Sequence, residues 1–411
     1  MVSAAVSDGA SNGGASNGGP LSDVLVVDLS RALAGPQASM MLGDLGARVI
    51  KVEAPGHGDD TRGWGPPFVG PEDERQSTYF LSANRNKESI TLDLKDEADK
   101  DVLLRLVDRA DVLVENFRTG VLDRLGLGFA SLQERNPRLV VLSVTGFGHD
   151  GPEGGRAGYD QIAQGEAGLM SLTGAGPEDP QRVGVPISDL LAGMYGAYGV
   201  LAALHERDRT GVGTVVRTSL LAATVGVHAF QGTRWTVAGQ VGHAAGNHHP
   251  SITPYGLFRC RDGAVQISVG SEGLWRRFCA GFDLDPLTEG LATNPERVAH
   301  RDQAIALVEQ AFADWEAEPL LARLAEVGIP AGKVRTLDEV YGWDQTASQG
   351  LLVDVEHSVL GPLTLPGPPL RFFAGDGTEV TRRDHAAPPA LDEHGDAVRA
   401  WLDGPDGTSA P

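Results

Sequence analysis

Residues 23–53 read DVLVVDLSRALAGPQASMMLGDLGARVIKVE, and the fold follows from how this stretch divides. Asp23–Ser30 is a short, almost unbroken apolar run, as a strand buried on both faces requires. Gln37–Gly46 reads as a short helix and Arg48–Glu53 as a second strand. Strands that alternate with helices run parallel, because a crossover is what returns the chain in the same direction. The alternation continues downstream. An extended piece ends at Leu92–Asp93, a helix carries Ala98, Val102, Leu103, Leu106, Val107 and Ala110 on one face, and strands follow at Asp111–Glu115 and Leu139–Val144. The expectation is an α/β domain with a parallel sheet.

From about residue 225 the pattern changes. Tyr255–Cys260 and Ala264–Val269, joined by Arg261-Asp262-Gly263, predict an antiparallel hairpin. Two amphipathic helices follow, one with Ile305, Val308, Phe312 and Trp315, the other over Pro319–Val327. The segment GPLTLPGPPLRF (361–372) is too punctuated by proline and glycine for regular structure to be expected. A short terminal helix with Val398, Trp401 and Leu402 closes the chain. The expected domains are a flexible tail over 1–20, a large domain over 21–224, a small α+β domain over 225–335, and a return segment over 336–411.

The 411 residues contain 34 Lys+Arg against 55 Asp+Glu, a formal net charge of −21. A phosphate backbone would be repelled, so no nucleic-acid partner is expected. Two cysteines, Cys260 and Cys279, exclude a disulfide scaffold and fit a reducing cytoplasm. Residues 1–20 are rich in Gly, Ser and Asn and lack the apolar core of a signal peptide. The longest apolar stretch, Leu190 to Leu204, is shorter than the roughly 20 residues a membrane span needs, so no membrane partner is expected.

The turn Ser30-Arg31-Ala32-Leu33-Ala34-Gly35-Pro36 has one glycine where a dinucleotide fingerprint needs three, which argues against a nicotinamide site with Glu53 as the ribose acid. Phosphate-loop, HExxH and GxSxG motifs are missing, His248-His249 are adjacent, and no metal is expected. Asp189 is more informative. It stands where a polar turn enters the apolar helix, where free amides and the dipole favour an ionised acid. A plain N-cap is the simplest reading. Yet Gly193, Gly196 and Gly199 recur at intervals of three, each costing roughly 1 kcal/mol relative to Ala, and their return is close backbone approach along one face. An ionised acid at the end of such a helix is a plausible nucleophile. Asp160, beside Tyr159, is a second acid near a helical run. Lys51, Arg62, Arg85, Lys87, Lys95, Arg118, Arg124 and Arg156 are candidates for an anion pocket.

Taken together these stretches resemble the class III coenzyme A-transferases, the family of formyl-CoA transferase and carnitine CoA-transferase, related to α-methylacyl-CoA racemase. The resemblance is carried by LVVDLSRALAGPQASMMLGDLGARVIKVEAPGHGDDTR, NRNKESITLDLK, DVLVENFRTGVLDRLGL, NPRLVVLSVTGFGHDGP, GYDQIAQGEAGLMSLTG and the ISD before the glycine-bearing helix. It implies a Rossmann-like large domain whose parallel sheet is formed by both chain ends, a smaller α+β domain, and an interlocked homodimer. It further implies Asp189 as the catalytic residue, with Ala32, Leu33, Leu92, Lys95, Asn116, Phe117, Arg118, Arg124 and Arg156 at coenzyme A. Gly242, Gly246 and Asn247 fall in the family's loop over the substrate. Ala54 stands where some members place an Arg. Coenzyme A is then a substrate, no cofactor is needed, and the partners are an acyl-CoA donor and a carboxylic acid acceptor.

In the implied chemistry Asp189 becomes an aspartyl-acyl anhydride and then an aspartyl-CoA thioester. Backbone amides near Asp189 or in the 242–247 loop are the expected oxyanion donors. Two rivals stay open. A racemase needs a base across the α-carbon where this chain has Tyr159-Asp160, and a tyrosine with a pKa near 10 is a poor base. A non-catalytic acyl-CoA binder would not need Asp189.

Overall fold

The computed structural model describes residues 18–404, so the expectation of a flexible tail falls largely outside the described residues. The chain forms two compact units. Among the described residues the first comprises 18–167, 184–227 and 348–404; the second comprises 168–183 and 228–347.

Six parallel strands make the sheet of the first unit: Leu25–Asp28, Arg48–Glu53, Lys87–Thr91, Val112–Glu115, Val140–Thr145 and Val215–Ser219. In space they lie in the order third, second, first, fourth, fifth, sixth. The direction of growth therefore reverses between Leu25–Asp28 and Val112–Glu115, and the crevice beyond the carboxyl ends of such a pair is where α/β sheets take ligands. Alternate side chains of each strand face opposite ways. Val24, Val26, Val112, Val114 and Leu142 pack with Ala38, Leu42, Ala192 and Val200 of the helices Ala34–Asp44 and Ile187–Thr210. Leu25, Val27, Ile50, Leu113 and Val141 pack on the other face with Leu103, Leu106 and Val107 of the helix Glu97–Arg109, and with Val398 and Leu402 of Gly395–Asp403.

Two expectations need correction here. All six strands come from residues 25–219; the carboxyl end supplies the covering helix Gly395–Asp403 rather than sheet strands. Residues 361–372 are not wholly irregular. Gly361–Pro366 pairs antiparallel with Leu352–His357, and Pro362 and Pro366 occupy the same alternate set of an edge strand, where a missing N–H is tolerated.

The helix Ile187–Thr210 is longer than its apolar stretch suggests, and by length and composition it could cross a membrane. Its glycines explain why it lies against the sheet instead. A Cβ on Gly193 would sit 2.8 Å from the Ala34 carbonyl oxygen, one on Gly196 2.9 Å from Leu142, and one on Gly199 2.6 Å from Val216. Each glycine thus permits a contact that a larger residue would block.

The second unit is built on the antiparallel strands Ala331–Lys333, Gly263–Ser268 and Tyr255–Cys260. Phe258, Val265, Ile267, Trp275, Phe278, Phe312 and Leu324 form its core with the helices Glu272–Gly281, Arg301–Phe312 and Ala317–Glu326.

Gly193→Ala is expected to lower stability by about 1–3 kcal/mol, because the backbone of two helices must part. Chemical denaturation checks this; an unchanged midpoint and slope would refute the packing role of Gly193.

Candidate active site

The site starts from charges buried beneath the turn that follows the first strand: Asp28 at that strand's end, Lys51 within the second strand and Lys87 at the start of the third. Asp28, Lys51 and Lys87 are fully buried. Lys87 Nζ lies 3.0 Å from Asp28, and Lys51 Nζ lies 2.8 Å from Asp59 and donates to the Ser30 carbonyl at 2.8 Å. Burial alone would raise the Asp28 carboxyl. The ammonium groups of Lys87 and Lys51 and the Ser30 and Ser39 hydroxyls outweigh it and hold Asp28 well below the usual carboxylate range. Burial pulls Lys87 down to about 8 against the opposing pull of Asp28. The Asp59 carboxylate accepts the Ala32 amide at 3.1 Å, and Ala32 sits at a φ of 65°, a conformation that L side chains avoid. The buried charges therefore fix the shape of the turn after the first strand.

Asn116, just beyond the fourth strand, ties that turn across the switch point. Its Oδ1 accepts the Arg31 amide at 2.8 Å, and its Nδ2 donates to the Arg31 carbonyl at 2.6 Å. Two cavities share the wall formed by Arg31 and Phe117. One, of about 350 Å³, contains Asp189, Asp160, Tyr79 and Trp64. The other, of about 540 Å³, is bordered by Lys51, His57, Leu92, Lys95 and Leu125.

Asp189 is the third residue of its helix, not the N-cap, which is Pro186. The cap comes from elsewhere in the chain. Asp160, first residue of the helix Asp160–Glu166, accepts the Ser188 amide at 2.8 Å and the Asp189 amide at 3.3 Å through Oδ1. Its Oδ2 accepts Gln164 Nε2 at 2.7 Å. The electrostatic expectation is thereby overturned. Burial, and then the Asp160 charge, push Asp189 up to about 7 instead of favouring its ionised form. The same amides are also unavailable as oxyanion donors. Tyr79 is pushed up to about 12 by burial and by the nearby Asp189, Asp160 and Asp59 charges, so it stays a phenol that can donate. Trp64 meets it edge-on at 5.0 Å between ring centroids.

The expected coenzyme A residues take different places. Ala32, Asn116, Phe117, Arg118 and Arg156 border the smaller cavity, and Leu92 and Lys95 border the larger. Leu33 is buried beneath the turn. Arg124 is exposed on the short helix Val121–Arg124 and borders neither. The Arg156 guanidinium is paired with Glu166 at 2.5 Å and Glu153 at 3.5 Å. Gly242, Gly246 and Asn247 belong to the second unit, where the Gly246 amide donates to Gly174. Besides Arg156, four cations proposed for an anion pocket are taken up by carboxylates: Lys51 by Asp59, Arg62 by Glu53, Arg85 by Asp44 and Lys87 by Asp28. Glu53, paired with Arg62 and hydrogen-bonded to Ser89, is likewise not free for a ribose.

Sequence reading missed Arg31, Trp64 and Tyr79. Trp64 and Tyr79 lie around the Gly/Pro-rich stretch 63–71, which has no periodicity to place them; the one signal was an aromatic residue in DDTRGWGPP. Among the described residues no cluster of His, Cys, Asp and Glu could hold a metal ion.

This geometry sets an acid in a cavity at the switch point of a Rossmann-ordered sheet, beside a cavity large enough for part of a nucleotide. Residues 21–395 match CoA-transferase family III, and the chain belongs to that family. It is a class III CoA-transferase. It is 37% identical to human succinyl-CoA:glutarate CoA-transferase over 91% of this chain and 84% of that protein. It is also 37% identical to acetyl-CoA:oxalate CoA-transferase of Acetobacter aceti, over 94% and 97% respectively. A CAIB/BAIF family protein from Brucella suis superposes with a TM-score of 0.82 at 40% identity, covering 94% of this chain and all of that one.

For the acyl-CoA substrate, kcat/KM is expected to rise with pH through about 7 as Asp189 ionises. Asp160→Asn keeps an acceptor for the Ser188 amide but removes the charge, so this limb moves down toward ordinary carboxylate pH. A D160N profile superimposable on that of the wild type contradicts the electrostatic coupling.

Proposed function

We propose that the protein moves coenzyme A from an acyl-CoA thioester to a carboxylic acid through covalent intermediates on Asp189. What carries this reading is the placement of Asp189, with its amide held by Asp160, on the wall of a cavity that shares Arg31 and Phe117 with a second, larger one of about 540 Å³. The pantetheine arm would lie in the smaller cavity and the nucleotide in the larger, with Lys95 on its rim.

A carboxylate oxygen of Asp189 attacks the thioester carbonyl, the C–S bond breaks, and CoA thiolate leaves an aspartyl-acyl anhydride. The thiolate then attacks the aspartyl carbonyl. The donor acid departs and an aspartyl-CoA thioester remains. The acceptor carboxylate attacks that thioester, again expelling thiolate and forming an anhydride. Finally the thiolate attacks the acceptor's carbonyl and frees Asp189. No proton is gained or lost overall, and the bonds exchanged are of similar energy, so no ATP is needed. Water must be excluded to protect the anhydride. The Tyr79 phenol is the donor we assign to the developing oxyanion, since the Ser188 and Asp189 amides are already used.

The named relatives act on succinyl, glutarate, acetyl and oxalate groups, and the cleft offers Arg118 to a second carboxylate, with Arg31 beside it held only at 3.6 Å by the half-exposed Asp60. Dicarboxylic acids are therefore the proposed acceptors, coenzyme A the substrate, and no further cofactor is required. Met194, Tyr195, Tyr198 and Leu201 leave an apolar face on the Ile187–Thr210 helix open. That face supports a homodimer, in the family's case with interlocked subunits. The proposed location is the cytoplasm.

Asp189→Ala is expected to abolish transfer while CoA binding, followed by calorimetry, stays within about twofold. The assay pairs succinyl-CoA with a panel of mono- and dicarboxylic acids and detects new acyl-CoA by mass spectrometry. Transfer surviving in D189A would sink the nucleophile assignment. Rapid α-deuteration of a 2-methylacyl-CoA in deuterated water without an added acid would instead favour the racemase reading.

A further inference from the structure

A hydrogen-bonded chain behind the cleft is unused by the chemistry above. Glu115, the last residue of the fourth strand, is buried, and its Oε2 accepts the Phe117 amide at 2.9 Å. Its Oε1 receives the Ser143 hydroxyl in a very short contact. Ser143, fully buried on the neighbouring strand, lies 2.6 Å through Oγ from Nε2 of His149. Burial pushes the Glu115 carboxyl up, although the Ser143 hydroxyl and the Phe117 amide favour its charged form. Ser143 cannot reach substrate, so this is not a nucleophilic triad.

What the chain touches matters more than its resemblance to one. The Phe117 ring walls both site cavities, and Arg118 borders the cleft as well as a third cavity of about 300 Å³ that Glu115, His149 and Arg217 line from behind. From the front, Asn116 is tied to Arg31. From behind, the bond from Glu115 to the Phe117 amide is the corresponding tie.

We infer that Glu115 is a positioning residue for the coenzyme A substrate: its carboxylate, steadied by Ser143 and His149, fixes the Phe117 backbone and so orients the Asn116-Phe117-Arg118 wall. This rests on the functional reading above. A displaced wall weakens binding of the CoA part, which is held alike in ground and transition states, and leaves turnover at saturation little changed.

The test uses the full chain, with coenzyme A itself as the probe. Loss of one hydrogen bond to a charged group predicts that Glu115→Ala raises the Kd for CoA roughly tenfold and speeds amide exchange at Phe117, with kcat within about twofold. Glu115→Gln keeps an oxygen to accept the Phe117 amide and should stay within about twofold of wild type on both readouts. If E115A does not fold, Ser143→Ala serves instead, with an expected rise in Kd of about threefold and faster Phe117 exchange. Wild-type Kd, or wild-type exchange at Phe117, in a folded E115A protein (or in S143A where E115A fails) overturns the inference alone. A wild-type protein that binds no CoA overturns the functional reading and this inference with it.

Discussion

The interaction on which the rest depends is the pairing of Lys51 and Lys87 with Asp59 and Asp28 beneath the switch point. Both ammonium groups are out of reach of water. A buried charge is tolerable only when each partner is present, and removing one typically costs about 3–5 kcal/mol because the other is left uncompensated. The cost is localised to useful effect. Through Asp59 and the Ser30 carbonyl, the same charges hold the Ser30-Arg31-Ala32 turn in a backbone shape that Ala32 would not otherwise adopt. That turn carries Arg31 to the wall shared by both cavities.

The acid of the site is tuned by a different device. A helix amino end ordinarily stabilises an anion, but here that stabilisation goes to Asp160, whose carboxylate takes the Ser188 and Asp189 amides. Asp189 is left with burial and a like charge, both of which raise its proton affinity. A carboxylate of higher basicity is a better nucleophile toward a thioester, while a value near 7 leaves a large ionised fraction at neutral pH. In the mechanism proposed above, Tyr79, kept protonated by burial and by the same acids, would complement a developing negative charge rather than compete with it.

The sheet was legible because parallel strands buried on both faces are written as near-continuous apolar runs, and Leu25–Asp28, Arg48–Glu53 and Val140–Thr145 fall within or beside the stretches read as strands. The glycines of the long helix announced close approach, and each meets a named neighbour. Asp189 stood out by its place at the start of that helix. Its electrostatics did not, because the group that reverses them, Asp160, is brought in by the fold and not by local spacing. The basic residues misled for the same reason. Nothing in the sequence around Lys51, Arg62, Arg85 and Lys87 reveals that each meets an acid in the interior. The edge strand at 361–366 was hidden by prolines that a central strand would reject and a lone hairpin accepts.

Interception of the covalent enzyme gives the most direct test. Wild-type protein incubated with an acyl-CoA and hydroxylamine, then digested and mapped by mass spectrometry, should carry a hydroxamate on the Asp189 side chain only when the acyl-CoA is present. A peptide containing unmodified Asp189 in protein that turns over normally, or a hydroxamate at another acid, would contradict the account.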